Sequence, residues 1–255
     1  MKGIILAGGS GTRLYPITKV VNKHLLAVYD KPMIFYPISL LKQCSISDVL
    51  LICCPKDLEM YKALLGNGEK FKINITYKTQ SQPRGIADAF IIGEEFIGND
   101  SVALILGDNF LYAENIKSVL SKASKTKKGA TILGYKTDNP KPFAVVNLNK
   151  NGDIVDIEEK PQDPQSNIVV PGIYFYDNNV VDITKNIMPS KRGELEITDV
   201  NKKYLEKNLL NIILLDEKTI WWDLGTTNAI LEASIWVKEY QNKSNKSIGN
   251  IYTEL

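Results

Sequence analysis

The chain has 255 residues, of which 44% are hydrophobic and 24% are charged, and its formal net charge is +2. This length can bury a sizeable core, and the composition is that of a soluble globular enzyme. The charge favours no acidic partner, no basic stripe with interleaved aromatics indicates nucleic-acid binding, and no run approaches the ~18 apolar residues of a membrane span.

In the first half of the chain, short apolar strands alternate with amphipathic helices. Strands are predicted at about 3–7, 49–53, 73–77, 102–107 and 130–135, and helices near 33–43, 56–65, 86–96 and 114–125. This alternation is typical of an α/β protein with a doubly wound, mostly parallel, Rossmann-like sheet. Such sheets bind their ligands beyond the carboxyl ends of the strands.

The order of predicted strands and helices changes in the second half of the chain. Strands are predicted near 143–148, 154–158, 168–176 and 210–215, and helices at 178–187, 196–207 and 226–241. The stretch 238–250, rich in Lys, Asn and Ser, is predicted to fray. We therefore predict a single domain over residues 1–240, with a nucleotide-binding first half, an added substrate-binding sheet over about 136–225, and a tail at 241–255.

Cysteine and histidine usage narrows the chemistry. The three cysteines are Cys44, Cys53 and Cys54, and the adjacent pair lacks metal-ligand spacing, so they indicate a reducing compartment. His24 is the only histidine, which excludes a multi-histidine metal site and argues against a Ser-His-Asp mechanism. The apolar start is too short for a signal peptide, so the sequence predicts a cytoplasmic protein.

A glycine-rich loop, Gly8-Gly9-Ser10-Gly11-Thr12-Arg13-Leu14, follows the first strand. Glycine tolerates positive φ and, without a Cβ, lets backbone N–H groups approach phosphate oxygens. Arg13 lies at the exit of the loop, and Lys23 follows nine residues after Leu14. A glycine loop flanked by two cations predicts a triphosphate site.

Two familiar glycine motifs do not fit this loop. A Walker-A motif needs Gly-Lys-Ser/Thr, but Gly11 is followed by Thr12-Arg13. A dinucleotide-binding fingerprint needs a third glycine where Leu14 stands, and Asp30, at about the right distance for the ribose acid, lies in an Asp-Lys-Pro turn. The remaining alternative, a purely structural turn, would leave both cations as unrelated surface charges.

Two carboxylates are candidate metal ligands. Asp108 follows an apolar run that predicts a strand buried on both faces, and a carboxylate at the carboxyl end of such a strand suits Mg²⁺. Asp223 follows Trp221-Trp222 and precedes a helix that Thr226 or Thr227 could cap. A capping role would explain either residue alone, and their spacing does not bring them together, so the pairing is a hypothesis.

Two further segments carry groups suited to ligand binding. In strand geometry Glu158 and Lys160 share one face and Glu159 lies on the other, although a surface charge cluster is an alternative. Gln80 precedes a loop in which Gly85 opens a helix, and its amide offers a donor and an acceptor to the edge of a pyrimidine. A turn-forming glutamine would explain this segment equally well.

Six segments occur together in a fixed order: Gly8 to Leu14, Asn22-Lys23-His24-Leu25-Leu26, Asp30-Lys31-Pro32-Met33, Gly107-Asp108-Asn109, Glu158-Glu159-Lys160-Pro161 and Arg192 to Asp199. In this combination the chain resembles the sugar-1-phosphate nucleotidyltransferases, and within them the short forms of the glucose-1-phosphate thymidylyltransferase branch. The resemblance covers residues 1 to about 240. The first loop marks the superfamily, and the later motifs mark the branch.

The resemblance implies a nucleotide-diphospho-sugar transferase fold and a Mg²⁺-dependent reaction. A sugar-1-phosphate oxygen attacks the α-phosphorus of dTTP in line, pyrophosphate leaves, and the product is dTDP-glucose when the sugar is α-D-glucose 1-phosphate. Positioning and charge neutralisation supply most of the catalysis. The resemblance also implies a homotetramer, and in relatives the product feeds deoxysugars into surface polysaccharides.

Site roles follow from the same resemblance, position by position. Arg13 would stabilise the departing pyrophosphate and Lys23 the α-phosphate, Lys160 would bind the sugar phosphate, and Asp108 and Asp223 would hold Mg²⁺. The nucleotide loop would comprise Gly8, Gly11, Thr12 and Arg13, with Gln80 and Gly85 at the base. The sugar hydroxyls would contact Asn109, Glu159 and Val170, close to Ala144.

The chain also departs from the family pattern. Where the family usually has Arg-Tyr-Gly-Val-Val, residues 142–146 read Pro-Phe-Ala-Val-Val, so Ala144 adds a methyl group at the sugar pocket and Phe143 lacks a hydroxyl. His24 stands in place of a common Gln, and Ala27 in place of a usual Pro. These changes leave the nucleotide half of the site intact and leave the identity of the sugar open. The alternative within the same reaction class is UTP, CTP or GTP with a modified hexose or heptose phosphate.

Two alternatives come from other functional classes. A nicotinamide oxidoreductase would need the fingerprint that Leu14 breaks. A non-catalytic sugar-nucleotide sensor would need no cations or metal ligand, and the retained Arg13, Lys23 and Asp108 argue against it.

Overall fold

The computed structural model describes residues 1–9 and 11–252, so Ser10 of the glycine-rich loop and residues 253–255 of the predicted tail lie outside it. The strands are β1 Lys2–Ala7, β2 Ala27–Val28, β3 Lys31–Pro32, β4 Asp48–Cys53, β5 Asn74–Thr79, β6 Val102–Leu106, β7 Asn109–Tyr112, β8 Ala130–Lys136, β9 Ala144–Leu148, β10 Ile154–Glu159, β11 Ile168–Val169, β12 Ile173–Tyr176, β13 Leu210–Leu214 and β14 Ile220–Asp223. The helices are α1 Phe35–Gln43, α2 Leu58–Leu65, α3 Asp88–Ile92, α4 Glu94–Ile97, α5 Ile116–Ala123, α6 Val180–Lys185, α7 Ile197–Glu206 and α8 Thr227–Ser244. None of the helices described here is long and apolar enough to cross a membrane.

The first half of the chain forms a parallel sheet around β1. β1 pairs in parallel with β4 on one side and β6 on the other, and β5 continues the sheet beyond β4. Ile4 and Ile5 belong to different apolar clusters because successive side chains of a strand point to opposite faces. Helices α1, α2 and α5 cover one face, and α3, α6 and α7 cover the other. The buried contacts are Ile38, Tyr61 and Leu120 on the first face and Phe90, Val180 and Val200 on the second.

The second half extends this sheet mainly with antiparallel strands. β12 lies between β6 and β8 and is antiparallel to both, and β11, β9 and β10 continue in antiparallel pairs. β13 joins β8 in parallel. The result is a mixed α/β sheet with a parallel core and an added second half, which confirms the predicted fold class.

One predicted strand is broken. Residues 168–176 form two strands, β11 and β12, separated by Val170-Pro171-Gly172. Pro171 has no N–H for a sheet ladder, while the Val170 N–H donates to Ala144 O (3.0 Å) and the Gly172 N–H to Asn109 Oδ1 (2.9 Å). The break therefore turns these residues out of the sheet toward the end of β6.

The pairing of β7 with β14 was not predicted. These strands are antiparallel, with Asn109 opposite Asp223, and α8 packs over them. Helix α8 continues to Ser244, and Lys42 Nζ donates to the buried Ile251 carbonyl (2.6 Å). Residues 238–244 are therefore helical, where fraying was expected; the division of the chain into functional regions stays a prediction.

Candidate active site

The glycine-rich loop lies at the carboxyl end of β1. Gly9 and Gly11 have φ values of 93° and 61°, and a short 3₁₀ turn, Thr12–Leu14, follows. Leu14 is buried and anchors the turn, whereas Arg13 extends its side chain toward solvent. The loop thus has the backbone geometry that glycine permits, with a cation at its exit.

Asp108 forms an ion pair with Lys23 at the end of β6. Lys23 begins a 3₁₀ turn, and the side chains of both residues are largely buried. Burial alone would raise the pKa of Asp108, but the charge and hydrogen bond of Lys23 lower that pKa to about 2. Asp108 is therefore an ionised carboxylate at neutral pH.

The β7–β14 pair brings Asp223 next to Asp108. The Leu224 N–H donates to Asp108 O (2.9 Å), and burial together with the negative charge of Asp108 raises the pKa of Asp223. Arg13 Nη2 lies 3.5 Å from Asp223 Oδ2. A Cβ on Gly225 would lie 2.3 Å from the same Nη2 atom, so a side chain at this position would displace the arginine head group from its present place.

This pair of carboxylates fits a magnesium ion. Over residues 1–9 and 11–252, no three His, Cys, Asp or Glu side chains cluster as a closed metal site. Mg²⁺ commonly takes one or two carboxylates and completes its octahedral shell with water and substrate phosphate oxygens. An ionised Asp108 and a neighbouring Asp223, whose pKa its negative charge raises, are the donor set such an ion needs.

Two cavities meet at Asp108. The first, of about 210 Å³, contains Gly8, Gly9, Lys23, His24, Gln80 and Gly85. The second, of about 200 Å³, contains Arg13, Asn109, Ala144, Glu159, Lys160, Val170 and Asp223. Ile86, Leu106 and Asp108 line both. Most predicted site residues are therefore brought together, but Gly11 and Thr12 line neither cavity.

Size alone does not identify this site. A larger cavity, of about 760 Å³, lies between α1 and the segment after α8, and its lining contains none of the predicted site residues. The two smaller cavities share an ionised carboxylate and face three cations, so we assign the chemistry to them.

Asn109 lies in the second cavity, but its side-chain oxygen is engaged within the protein. Oδ1 accepts hydrogen bonds from the Gly172 N–H (2.9 Å) and from Trp221 Nε1 (2.8 Å). These bonds tie β7 to β14 and to the break before β12. Only Nδ2, which lies 3.4 Å from Asp108 Oδ1, is left to meet a sugar, so contact of Asn109 with sugar hydroxyls stays a prediction for that atom.

The predicted face of Lys160 was wrong, whereas Glu158 and Glu159 lie on different faces of β10 as expected. β10 ends at Glu159, and Lys160 has φ 47°, in the left-handed region. Because this conformation breaks strand alternation, Lys160 and Glu159 line the same cavity, with Nζ 3.5 Å from Oε1, while Glu158 is exposed. Glu159 is held by Thr198 Oγ1, which donates to Oε2 at 2.6 Å.

Ala144 and Val170 form part of the apolar wall of the second cavity. Ala144 opens β9 opposite Glu159, and both apolar residues are buried. The neighbouring Phe143 ring packs edge-on against Trp221, with 4.9 Å between centroids. Of the residues that depart from the family pattern, Pro142, Phe143 and Ala144 therefore shape the cavity that contains Glu159 and Lys160.

Sequence reasoning missed a buried network behind Lys23. Asn22 Oδ1 accepts hydrogen bonds from the His24 backbone N–H (3.0 Å) and the Tyr61 hydroxyl (2.9 Å), and lies 2.8 Å from His24 Nδ1. Asn22 Nδ2 donates to Asp57 Oδ2 (2.7 Å). Burial, helped by the charge of Lys23, lowers the pKa of His24 to about 3, so His24 is neutral. Asn22 is a good cap residue, but nothing local reveals its distant partners.

Replacement of Asn22 with Ala is expected to lower the free energy of unfolding by about 3 kcal/mol, because it leaves buried donors and the Asp57 carboxylate without partners. Urea unfolding measures the change. Asn178→Ala is the matched control, since Asn178 is exposed, and it is expected to change the free energy by less than about 0.5 kcal/mol. Equal effects of the two variants would contradict the role of Asn22.

The loop at Gly85 also depends on a distant segment that sequence reasoning did not connect to it. Gly85 has φ 99°, and a Cβ there would lie 2.4 Å from the Leu195 carbonyl oxygen. The Leu195 N–H donates to Arg84 O (2.7 Å), and the Ala87 N–H donates to Leu195 O (3.2 Å). The segment after Arg192 thus supports the loop beside Gln80.

Comparison with known proteins agrees with this geometry. The profile of the Nucleotidyl transferase family matches residues 2–239. The chain is 52% identical to a glucose-1-phosphate thymidylyltransferase of Neisseria meningitidis serogroup A over 248 residues, which cover 97% of this chain and 86% of that protein. It is 45% identical to a protein of the same name from Mycolicibacterium smegmatis over 249 residues, which cover 98% of this chain and 86% of the relative.

Solved structures give the same result. A Bacillus anthracis chain, described as a candidate glucose-1-phosphate thymidylyltransferase in complex with sucrose, superposes with a TM-score of 0.86 at 42% identity, covering 92% of this chain and 94% of that one. UDP-glucose pyrophosphorylase in complex with UDP-glucose superposes with a TM-score of 0.80 at 26% identity, covering 95% and 98%. The family expected from the motifs is confirmed: the chain belongs to the nucleotidyl transferase family.

Proposed function

We propose that the protein transfers a thymidylyl group from dTTP to α-D-glucose 1-phosphate, giving dTDP-glucose and pyrophosphate. The observation that carries this proposal is the Lys23–Asp108 pair at the junction of two cavities. One cavity is bounded by the glycine loop and Gln80, as a nucleotide site requires, and the other by Lys160 and Glu159. The names of the relatives supply the substrates.

In this proposal the chain's own groups orient two anions for in-line displacement. The nucleotide lies in the first cavity, so Lys23 meets the α-phosphate. Arg13, at the loop exit and on the wall of the second cavity beside Asp223, meets the departing pyrophosphate. Lys160 holds the phosphate of the sugar in the second cavity. Cations fixed by a protein scaffold stabilise the charge that develops during transfer without reorganising solvent, and such groups are each worth about 10²-fold or more in rate.

Asp108 and Asp223 would hold Mg²⁺ in the proposed enzyme. When bound, the ion neutralises phosphate oxygens and so makes the α-phosphorus easier to attack. The ion pairs of the two aspartates with Lys23 and Arg13 keep both carboxylates oriented toward the junction.

The remaining roles concern recognition. Gln80 and Gly85 would contact the base, with the backbone of Gly8, Gly11 and Thr12 around the phosphates. Glu159, Val170 and Asn109 Nδ2 would contact the sugar. The assembly expected from the family, a homotetramer, stays a prediction.

A second candidate keeps the reaction and changes a substrate. Ala144 places a methyl group on the wall of the cavity that would bind the sugar, which favours a sugar 1-phosphate other than glucose 1-phosphate. The structural similarity to UDP-glucose pyrophosphorylase keeps UTP among the nucleotides to be tested.

Pyrophosphate release with dTTP and a panel of sugar 1-phosphates tests the assignment. Glucose 1-phosphate is expected to give the highest kcat/KM, and replacing dTTP with UTP at fixed sugar tests the nucleotide. Brisk turnover of another sugar with none of glucose 1-phosphate would contradict the sugar assignment while preserving the reaction class. The absence of pyrophosphate release with every pair would contradict the reaction itself.

A further inference from the structure

We propose that Asp88 fixes the orientation of the Gln80 side-chain amide and thereby makes the base site selective for a ring N3–H donor, as in thymine and uracil. This inference rests on the proposed function, because it takes the cavity around Gln80 as the base site. Asp88 lies outside both cavities and would act only through Gln80.

The contacts of Gln80 define which way its amide points. Gln80 Nε2 donates to Asp88 Oδ2 (2.9 Å) and to the Gly85 carbonyl oxygen (3.3 Å). A carboxylate and a carbonyl both accept hydrogen bonds only, so the reverse orientation would set Oε1 against two oxygens. The oxygen and nitrogen of a glutamine amide have nearly the same shape, so their assignment follows from the hydrogen-bond partners, which here are both acceptors.

The surroundings of Asp88 hold its carboxylate in the position that fixes the Gln80 amide. The Asp88 side chain is almost fully buried, and Arg84 Nε lies 3.6 Å from Oδ1, the oxygen that Gln80 does not use. A carboxylate that pairs with a guanidinium presents only acceptor oxygens to the Gln80 amide. Both hydrogens of the Gln80 amide are consequently directed into the protein.

The atom left for a ligand is Gln80 Oε1. It lies 3.4 Å from the position that a Cβ on Gly8 would take, on the side of the glycine-rich loop, and Gln80 and Gly8 line the same cavity. Across the part of the chain that the structure describes, no protein donor contacts Oε1. A base that faces this oxygen must present a hydrogen-bond donor.

A comparison of two bases of nearly the same shape tests whether the site selects for a donor at N3. Thymine and 5-methylcytosine share the ring and the methyl group, but N3 carries a hydrogen in thymine and a lone pair in 5-methylcytosine, and the C4 oxygen of thymine is an amino group in 5-methylcytosine. A lone pair opposite Oε1 leaves two acceptors unpaired in a largely buried site, and such a mismatch is expected to lower kcat/KM by about 10- to 100-fold.

The experiment compares kcat/KM for dTTP and 5-methyl-dCTP, with glucose 1-phosphate as the acceptor, in the wild type and in Asp88→Asn. The asparagine can donate to Gln80 Oε1, so the amide can rotate and offer an N–H to the base. The ratio in favour of dTTP is expected to fall by at least about 10-fold, mainly through better use of 5-methyl-dCTP. Asp88→Glu keeps the acceptor and is expected to retain the wild-type ratio even where overall activity falls.

Gln80→Ala provides a second variant should Asp88→Asn fail to fold, and the same loss of discrimination is expected from it. A wild-type ratio near one, or a ratio that does not change while both rates fall together, would overturn the inference. If the wild type releases no pyrophosphate from dTTP, the proposed function fails, and the ratio of calorimetric dissociation constants for the two nucleotides then tests the role of Asp88 separately.

Discussion

Replacement of Asp108 with Asn is expected to lower kcat/KM by at least about 10³-fold. The substitution keeps the shape of the side chain but removes the charge that pairs with Lys23 and one of the two carboxylates proposed to hold Mg²⁺. Because Asp108 lies where the two cavities meet, its charge is lost at the point where both proposed substrates would be held. Pyrophosphate release at saturating dTTP, sugar phosphate and Mg²⁺ measures the effect.

Asp182→Asn is the matched control, since it makes the same chemical change at an exposed position on α6. Its activity is expected to stay within about 2-fold of the wild type. Thermal unfolding of both variants separates loss of chemistry from loss of fold. A folded Asp108→Asn variant with activity near that of the wild type would remove Asp108 from the reaction.

The parts of the site that could be predicted from the sequence are local. The apolar run 102–106 identifies a buried strand, and a parallel strand delivers the next residues to the edge of the sheet where ligands bind. The position of Asp108 at this edge of the sheet therefore follows from the strand directly before it in the sequence. The same reasoning places the glycine loop after β1, with Arg13 at its exit and Lys23 close by.

The parts that could not be predicted depend on contacts between distant segments. Asp223 reaches Asp108 because β14 pairs with β7, and the Trp221–Asn109 hydrogen bond in this pair joins residues 112 positions apart. Each of these strands has only four residues, which is too few to give a clear alternating pattern. Gly85 and Asn22 likewise depend on partners that no local pattern reveals.

Backbone conformation accounts for the error at Lys160. Period-two alternation holds only while the strand continues, and the φ of 47° at Lys160 ends it one residue after Glu159. Non-glycine residues seldom adopt this conformation, so a sequence-based prediction keeps the strand going. The left-handed residue places a cation and a carboxylate together in the cavity proposed for the sugar phosphate.

Replacement of Lys23 with Met is expected to lower kcat by about 10²- to 10³-fold and to make stability depend differently on pH. In the wild type, Lys23 lowers the pKa of Asp108 to about 2 against the effect of burial. Without Lys23, burial is left as the main influence, and the pKa of Asp108 rises. The Lys23→Met variant is therefore expected to lose stability mainly at pH values at which Asp108 is ionised in the wild type.

The direction of the pH effect follows from linkage. A carboxyl group whose pKa is lower in the folded than in the unfolded protein contributes stability above its unfolded pKa of about 4, and that contribution disappears as the pH falls toward the folded value. Urea unfolding is thus expected to show a deficit of about 3 kcal/mol for Lys23→Met at pH 7 that shrinks as the pH is lowered toward 3.

Lys203→Met separates this electrostatic effect from the general consequence of losing a lysine. Lys203 forms an exposed pair with Glu206, and exposed pairs contribute less than about 1 kcal/mol because water screens them. The loss of unfolding free energy in Lys203→Met is expected to be small at every pH. A Lys23→Met deficit that stays constant between pH 7 and pH 3 would mean that packing of the lysine stem, rather than its charge on Asp108, stabilises the junction. The cation would then be free to serve a bound phosphate without supporting the fold.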